Sequence, residues 1–227
     1  MLASDYTALR TSHILFEAIV YALFALCLHD AWRRKAGHPA ELLGGLAFGL
    51  LLEWINVTFL SGYYYGRFLL MVGPIPLGVG VGWAIIIYAS MLTSDWLGLR
   101  PWTRPFADAL LALNIDLSMD AVAIRLGMWV WGWPPSYDRW ASQWFGVPYG
   151  NFFGWLMVVL LYSGSVRLFR SLRSRFARWP HRLDWVYPFA AVLPSEVLLY
   201  TSLQLHQSGV RHRIGGQLML GVLLGVT

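Results

Sequence analysis

Residues Pro74–Leu97 read PIPLGVGVGWAIIIYASMLTSDWL, a run of 24 residues whose one charged side chain, Asp95, comes close to its end. A helix of about 20 apolar residues crosses a hydrocarbon layer ~30 Å thick, so this stretch is predicted to span a membrane. Gly78, Gly80 and Gly82 inside it read as a surface for close helix packing. Working outward, similar runs recur at Thr11–His29, Leu42–Leu60, Pro105–Arg125, Asn151–Phe169, Leu183–Gln204 and Ile214–Val226. The last is short, and either extends back through His212 or enters the bilayer only in part. The predicted fold is all-α: a polytopic transmembrane helical bundle of about seven spans, forming a single integral membrane domain over residues 1–227.

Composition agrees. Of 227 residues, 57% are hydrophobic and only 13% charged, and the mean hydropathy is +0.52. Soluble domains carry about 25% charged residues. A disordered chain, a coiled coil and an ordinary soluble enzyme are thereby excluded. The one lysine, Lys35, sits in the Arg33-Arg34-Lys35 cluster between two runs, where it cannot serve as a buried retinal Schiff base. Cys27 stands alone, so no disulfide within the chain and no thiolate metal cage is expected. Asp5 and Arg10, with no small-residue cleavage site after the first run, argue against a signal peptide.

The basic excess reads as a topology signal rather than a nucleic-acid surface. Eleven positive residues fall in the loops after spans one, three and five: Arg33, Arg34, Lys35, Arg100, Arg104, Arg167, Arg170, Arg173, Arg175, Arg178 and Arg182. Five fall on the opposite side: Arg10, Arg67, Arg139, Arg211 and Arg213. The positive-inside rule then puts the N-terminus outside and the C-terminus in the cytoplasm of a multi-pass cell-membrane protein. The stretch Val166–Arg182 alternates Arg with Leu, Phe and Trp, and reads either as an interfacial helix on lipid or as a solvated loop.

The acids are the unusual part. Glu17, Glu53, Asp95, Asp108, Asp116, Asp120 and Glu196 fall inside or at the edge of predicted spans. A carboxylate at a helix centre costs about 2.5–3.5 kcal/mol on insertion scales, so each is a functional candidate unless it caps a helix or pairs with an arginine. Asp116 and Asp120 share one helix face, with Asp108 about 80° around from Asp116 and Arg125 in reach of Asp120. Glu53 and Asn56 lie about 60° apart on the second span. His13, Glu17 and Tyr21 form a stripe on the first, and Glu196 and Tyr200 another on the sixth, after Pro194, which is expected to kink it. Turned inward, these stripes would surround one polar site. The tyrosine run Tyr63-Tyr64-Tyr65 and the tryptophans Trp129, Trp131, Trp133, Trp140 and Trp144 read first as an interfacial belt. Some of them would instead line a long apolar ligand.

Other chemistries lack their residues. The six histidines do not cluster as in membrane di-iron enzymes, and no glycine-rich nucleotide loop or Walker loop occurs. The run Asn114–Asp120 resembles one aspartate motif of magnesium-dependent intramembrane prenyltransferases, but the second such motif is missing. What remains is carboxyl acid–base chemistry in an apolar pocket, where a protonated acid can donate to an alkene and water can add to the resulting cation. No cofactor or metal is required.

Four blocks carry a resemblance. Asp116-Leu117-Ser118-Met119-Asp120-Ala121-Val122-Ala123 is similar to DLxxDPVA, and Leu126-Gly127-Met128-Trp129-Val130-Trp131 to LGxWxW. Phe145-Gly146-Val147-Pro148 and Asn151-Phe152-Phe153-Gly154-Trp155 are similar to YGVPxxNFxGW. With Glu53, the Gly62–Gly66 tyrosine run, Gly73-Pro74 and Trp83 upstream, the chain resembles the membrane carotenoid biosynthesis family, whose members include hydratases of the carotenoid 1,2-hydratase and bisanhydrobacterioruberin hydratase type. Ala121 replaces the pattern's proline, and the Gly132–Trp144 loop is longer. The resemblance implies addition of water to a terminal double bond of an acyclic carotenoid end. It implies Asp116 and Asp120 as acid and base, Glu53 positioning or sharing protons, and Asn151 and Trp155 lining the site. Asn56, Tyr64, Trp83, Trp129 and Trp131 complete the candidate substrate lining, while Glu17, Glu196 and Tyr200 are candidates outside the matched blocks. The expected partners are a carotenoid or other long isoprenoid, membrane lipid and possible membrane-complex subunits, and no nucleic acid. The alternatives are a non-catalytic carotenoid-binding or structural subunit of a larger complex, and the prenyltransferase.

Overall fold

The computed structural model describes residues 8–34, 37–60, 62–132, 143–175 and 181–211. The fold is mostly helical: α1 (Thr11–Arg34), α2 (His38–Ile55), α3 (Leu77–Trp96), α4 (Arg104–Arg125), α5 (Tyr149–Arg175), α6 (Tyr187–Ala190) and α7 (Val192–Arg211). Short strands lie between them: β1 (Tyr63–Tyr65), β2 (Met71–Val72), β3 (Ile75–Pro76), β4 (Trp129–Trp131), β5 (Gln143–Trp144) and β6 (Val147–Pro148).

Local chemistry sets the boundaries. α2 and α4 begin with Pro39 and Pro105 in the first turn, where the missing N–H has no helical partner to lose. α4 ends in a Schellman turn: the N–H of Met128 bonds to Ala123 O at 3.0 Å and that of Gly127 to Ile124 O at 3.2 Å. Gly127 takes φ 72°, the left-handed conformation this turn needs. The chain then enters β4 at once. β5 and β6 close on a two-residue turn with Phe145 and Gly146 both at positive φ, a type I′ hairpin that delivers the chain into α5.

α3 packs against α1, α2 and α4, while α5 packs against α4 and α7. The main core joins Phe48 of α2, stacked on Tyr162 of α5 at 4.3 Å, to Trp83 of α3 and Trp155 of α5. The glycine run of α3 acts as predicted at two of its three positions. A Cβ at Gly80 would lie 2.5 Å from Leu50, and one at Gly78 3.2 Å from Glu17. Gly82 instead faces a cavity. Leu15, Ile19 and Leu26 of α1 and Leu193 and Val197 of α7 are exposed, an outer surface that suits lipid.

Four helical stretches are long and apolar enough to cross a membrane: Thr11–Arg34, His38–Leu60, Leu77–Trp96 and Tyr149–Arg173. The second ends in a π-helical turn over Asn56–Leu60. α4 matches the fourth predicted run almost residue for residue, and its carboxyls lower its apolar character. The sixth predicted run is not one kinked helix. It divides into a 3-10 turn (His181–Trp185), α6 and α7, and Pro194 lies in the first turn of α7, where it breaks nothing. The seventh run, Ile214–Val226, lies outside the described residues, as do most of the Gly132–Trp144 loop and its Trp133, Tyr137 and Trp140. α5 continues through Arg175, so Arg167 and Arg170 belong to a helix rather than to a loop.

Those two arginines decide the fate of several acids. Arg167 bonds to Asp108 at 3.0 Å and Asp95 at 2.5 Å, and Arg170 bonds to Glu41 at 2.6 Å and Asp95 at 3.0 Å. Arg104 adds a bond to Asp95 at 2.9 Å. Ser94 bonds to Asp108 and Tyr187 to Glu41. This ionic cluster ties α2, α3, α4 and α5 together at one end of the bundle. Asp108 therefore does not join Asp116, as one helix face suggested, because its charge is neutralised by α5.

Candidate active site

At the other end of α4 the helices part around a cavity of about 1050 Å³. Its walls are mainly apolar and aromatic, with Leu52, Ile86, Met119, Val158 and Leu199 among them.

Glu53 projects from the last turn of α2 and is 4% exposed. Trp83 donates its indole N–H to Glu53 Oε1 at 2.7 Å, Tyr65 donates to Oε2 at 2.7 Å, and Tyr63 donates to the same oxygen. Trp83 gains this position because Gly49 lies beneath it; a Cβ there would sit 2.5 Å from Trp83 Cβ. Burial first, then the adjacent Glu53 carboxyl, hold the Tyr63 and Tyr65 hydroxyls well above the ordinary tyrosine range, so both remain donors. Three donors on two oxygens suit an ionised carboxylate.

β1 and β4 supply the aromatic cover. They pair antiparallel, with Tyr63 opposite Trp131, Tyr64 opposite Val130 and Tyr65 opposite Trp129. Directly opposed residues share a face, so Tyr63, Tyr65, Trp129 and Trp131 all line the cavity. Tyr64 points the other way and is exposed. The predicted substrate residue Tyr64 is thus corrected to its two neighbours. Strand alternation carried that signal: Tyr-x-Tyr and Trp-x-Trp each place two rings on one side.

Asp116 and Asp120 come from α4 and are 0% and 3% exposed. One amide nitrogen, Asn151 Nδ2, donates to Asp116 Oδ2 at 3.0 Å and Asp120 Oδ2 at 2.6 Å. Asn151 belongs to the first turn of α5, which packs along α4. Asp120 lines the cavity. Asp116 lies behind it, and its Oδ1 has no hydrogen-bond partner among the described residues. Arg125 does not pair with Asp120; its guanidinium bonds to the carbonyls of Ala121 and Phe145. Asn114 turns away, bonding to Leu110 O, so the Asn114–Asp120 run does not act as one ligand set. Among the described residues, no three His, Cys, Asp or Glu side chains are placed to hold a metal.

Asn56, in the π-helical turn, also lines the cavity. Trp155 packs against Trp83 with centroids 4.1 Å apart and the rings tilted by 33°, forming a second aromatic wall between α3 and α5. Tyr200 of α7 faces in, and Glu196 is buried one turn before it. Glu17 is not part of the site. It accepts the backbone N–H groups of Leu69 and Leu70 at 2.7 and 3.1 Å and the Tyr21 hydroxyl at 2.9 Å, which pins the β2–β3 hairpin to α1. The structure thus gathers Glu53, Asp120 and Asn151, with Asp116 behind, from α2, α4 and α5 around one apolar space. A smaller groove of about 300 Å³ shares Phe16 and Met119 with it and runs along α4 past Val122.

A family model described as "Carotenoid biosynthesis protein" matches residues 10–226. A bisanhydrobacterioruberin hydratase of Haloarcula japonica is 26% identical over 188 residues. That match covers 74% of this chain and 58% of the relative, so the chain spans little more than half the relative's length. No solved structure matches.

Proposed function

The chain belongs to the carotenoid biosynthesis protein family, and on that premise we propose that it hydrates a terminal double bond of an acyclic carotenoid end by carboxyl chemistry, without a cofactor. It does so as one integral domain of the cell membrane. About seven spans cross the bilayer, with the N-terminus outside and the C-terminus in the cytoplasm.

The observation that carries the reading is the wall of the cavity: Asp120, backed by the buried Asp116, and a triply bonded glutamate face a space otherwise lined mainly by aliphatic and aromatic side chains. Two adjacent carboxyls without a cation cannot both ionise, so the Asp116–Asp120 pair carries a proton. Asp120, on the cavity surface, delivers it to the less substituted alkene carbon. The alkene π pair forms the new C–H bond, and a tertiary cation results. That cation lies against the faces of Trp83, Trp129 and Trp155 and the Glu53 carboxylate, which stabilise it more than they stabilise the neutral alkene. A water oxygen forms the C–O bond, and the proton it sheds restores the aspartate pair. The product is a tertiary alcohol, and atoms and charge balance. The groove along α4 suits the polyene that trails from the reacting end.

Expression in a lycopene-producing host tests this. The expected outcome is a pigment heavier by one water, lost on Asp120→Asn and on Asp116→Asn. Unchanged pigment beside membrane-inserted wild-type protein would refute the hydratase assignment for that substrate.

A further inference from the structure

One polar group near the cavity has no part in that reaction. Glu196 is 4% exposed, yet among the described residues neither of its carboxyl oxygens has a hydrogen-bond partner. Among the same residues the hydroxyl of Tyr200, one turn on, is also without a partner, and so is the indole N–H of Trp131. Tyr200 and Trp131 line the cavity, together with Leu199 and Leu203. Residues 196, 199, 200 and 203 share one face of a helix, so Glu196 lies on the stripe of α7 that faces the cavity. Buried polar groups are almost always satisfied, by protein, by water or by a ligand. A carboxyl, a hydroxyl and an N–H donor offer the two to four mixed partners that a bound water takes.

Their position matters as much as their chemistry. α4 and α7 each pack on α5, and Asp120 and Tyr200 reach the cavity from these two separate helices. We infer that Glu196, Tyr200 and Trp131 hold the water that adds to the substrate cation, on a wall distinct from the aspartate pair that donates the proton. This rests on the hydratase reading. In the full step, Asp120 gives its proton to carbon, the held water gives an oxygen lone pair to the cation, and the proton released from that water returns through cavity water to the vacated carboxylate. Without a water held in place for attack, the cation takes mainly the reverse path. It loses a proton to the aspartate pair and becomes alkene again.

That difference is measurable in deuterated water. Membranes carrying the wild-type protein should hydrate an acyclic carotene. Glu196→Leu and Tyr200→Phe should lower the yield of alcohol by about 10²-fold, the usual scale for losing one positioned polar group. Both variants should continue to place deuterium in the recovered alkene, because protonation and its reversal do not need Glu196 or Tyr200. Glu196→Gln, which keeps an oxygen to bind water, should recover part of the yield, and Asp120→Asn should lose both alcohol and exchange. Persistent exchange also reports an intact fold. Hydration at the wild-type rate in both variants overturns the inference, as does joint loss of hydration and exchange at equal levels of inserted protein. If the wild-type protein gives neither alcohol nor exchange, the hydratase reading fails first and the inference falls with it.

Discussion

Replacing Arg167 by leucine should destabilise the bundle without touching the cavity. Arg167 is 10% exposed and Asp108 is fully buried. The guanidinium makes five hydrogen bonds: to Asp108 Oδ2 at 3.0 Å and Oδ1 at 3.2 Å, to Asp95 at 2.5 Å, to Ser94 at 2.7 Å and to Met91 O at 3.1 Å. Asp95 would retain Arg104 and Arg170 at 2.9 and 3.0 Å. Among the described residues Asp108 would retain only the Ser94 hydroxyl, so it is the charge left stranded. Breaking a buried pair from one side costs about 3–5 kcal/mol. At 2–4 °C per kcal/mol for a chain of this size, the melting temperature should fall by roughly 6–20 °C. The assay is thermal unfolding in detergent at a fixed heating rate, followed by tryptophan fluorescence. The Arg167→Leu/Asp108→Leu double variant should recover most of the loss, because two apolar side chains can replace a buried ion pair at little net cost. Arg33→Leu, at an exposed site, sets the baseline. A drop no larger than that of Arg33→Leu, or a double variant as unstable as the single, would refute the claim that α5 neutralises Asp108.

The tyrosine run offers a parity test. Tyr63→Phe and Tyr65→Phe each remove a donor from Glu53 and should lower hydration by about 10-fold to 10²-fold, whereas Tyr64→Phe should leave the product yield unchanged; pigment chromatography of the three strains decides it. Glu17→Leu strands the N–H groups of Leu69 and Leu70 and should cost about 1–3 kcal/mol of stability for each buried orphan. Glu17→Gln keeps one acceptor and should cost less, and the same melting assay ranks the two.

Much of the scaffold was legible in one dimension. Four apolar runs became helices long enough for a membrane because a lipid-facing helix must be apolar nearly all round, and that is a local property. The Asp116–Asp120 pair was legible too, since a spacing of four places two side chains on one face. The outward turn of Tyr64 was legible as well: three tyrosines in a row cannot all face one way on a strand, and the Trp-x-Trp of β4 marks the parity. The aromatic belt was a poorer guide, because Trp129 and Trp131 are turned inward by pairing with β1 rather than outward to headgroups.

Sequence alone determined that the chain is apolar, helical and rich in costly acids, and it placed the aspartate pair on one helix face. Only the tertiary structure decided what each acid does. Asp108 met Arg167, 59 residues away, and Glu41 met Arg170, 129 residues away. Glu17 met two backbone amides, and Glu53 met two tyrosines and a tryptophan. Helical periodicity states which way a side chain points, not what another element brings to meet it. The charge a buried carboxyl can carry depends on those partners, because in a low-dielectric interior the nearest donor or cation outweighs everything along the same helix.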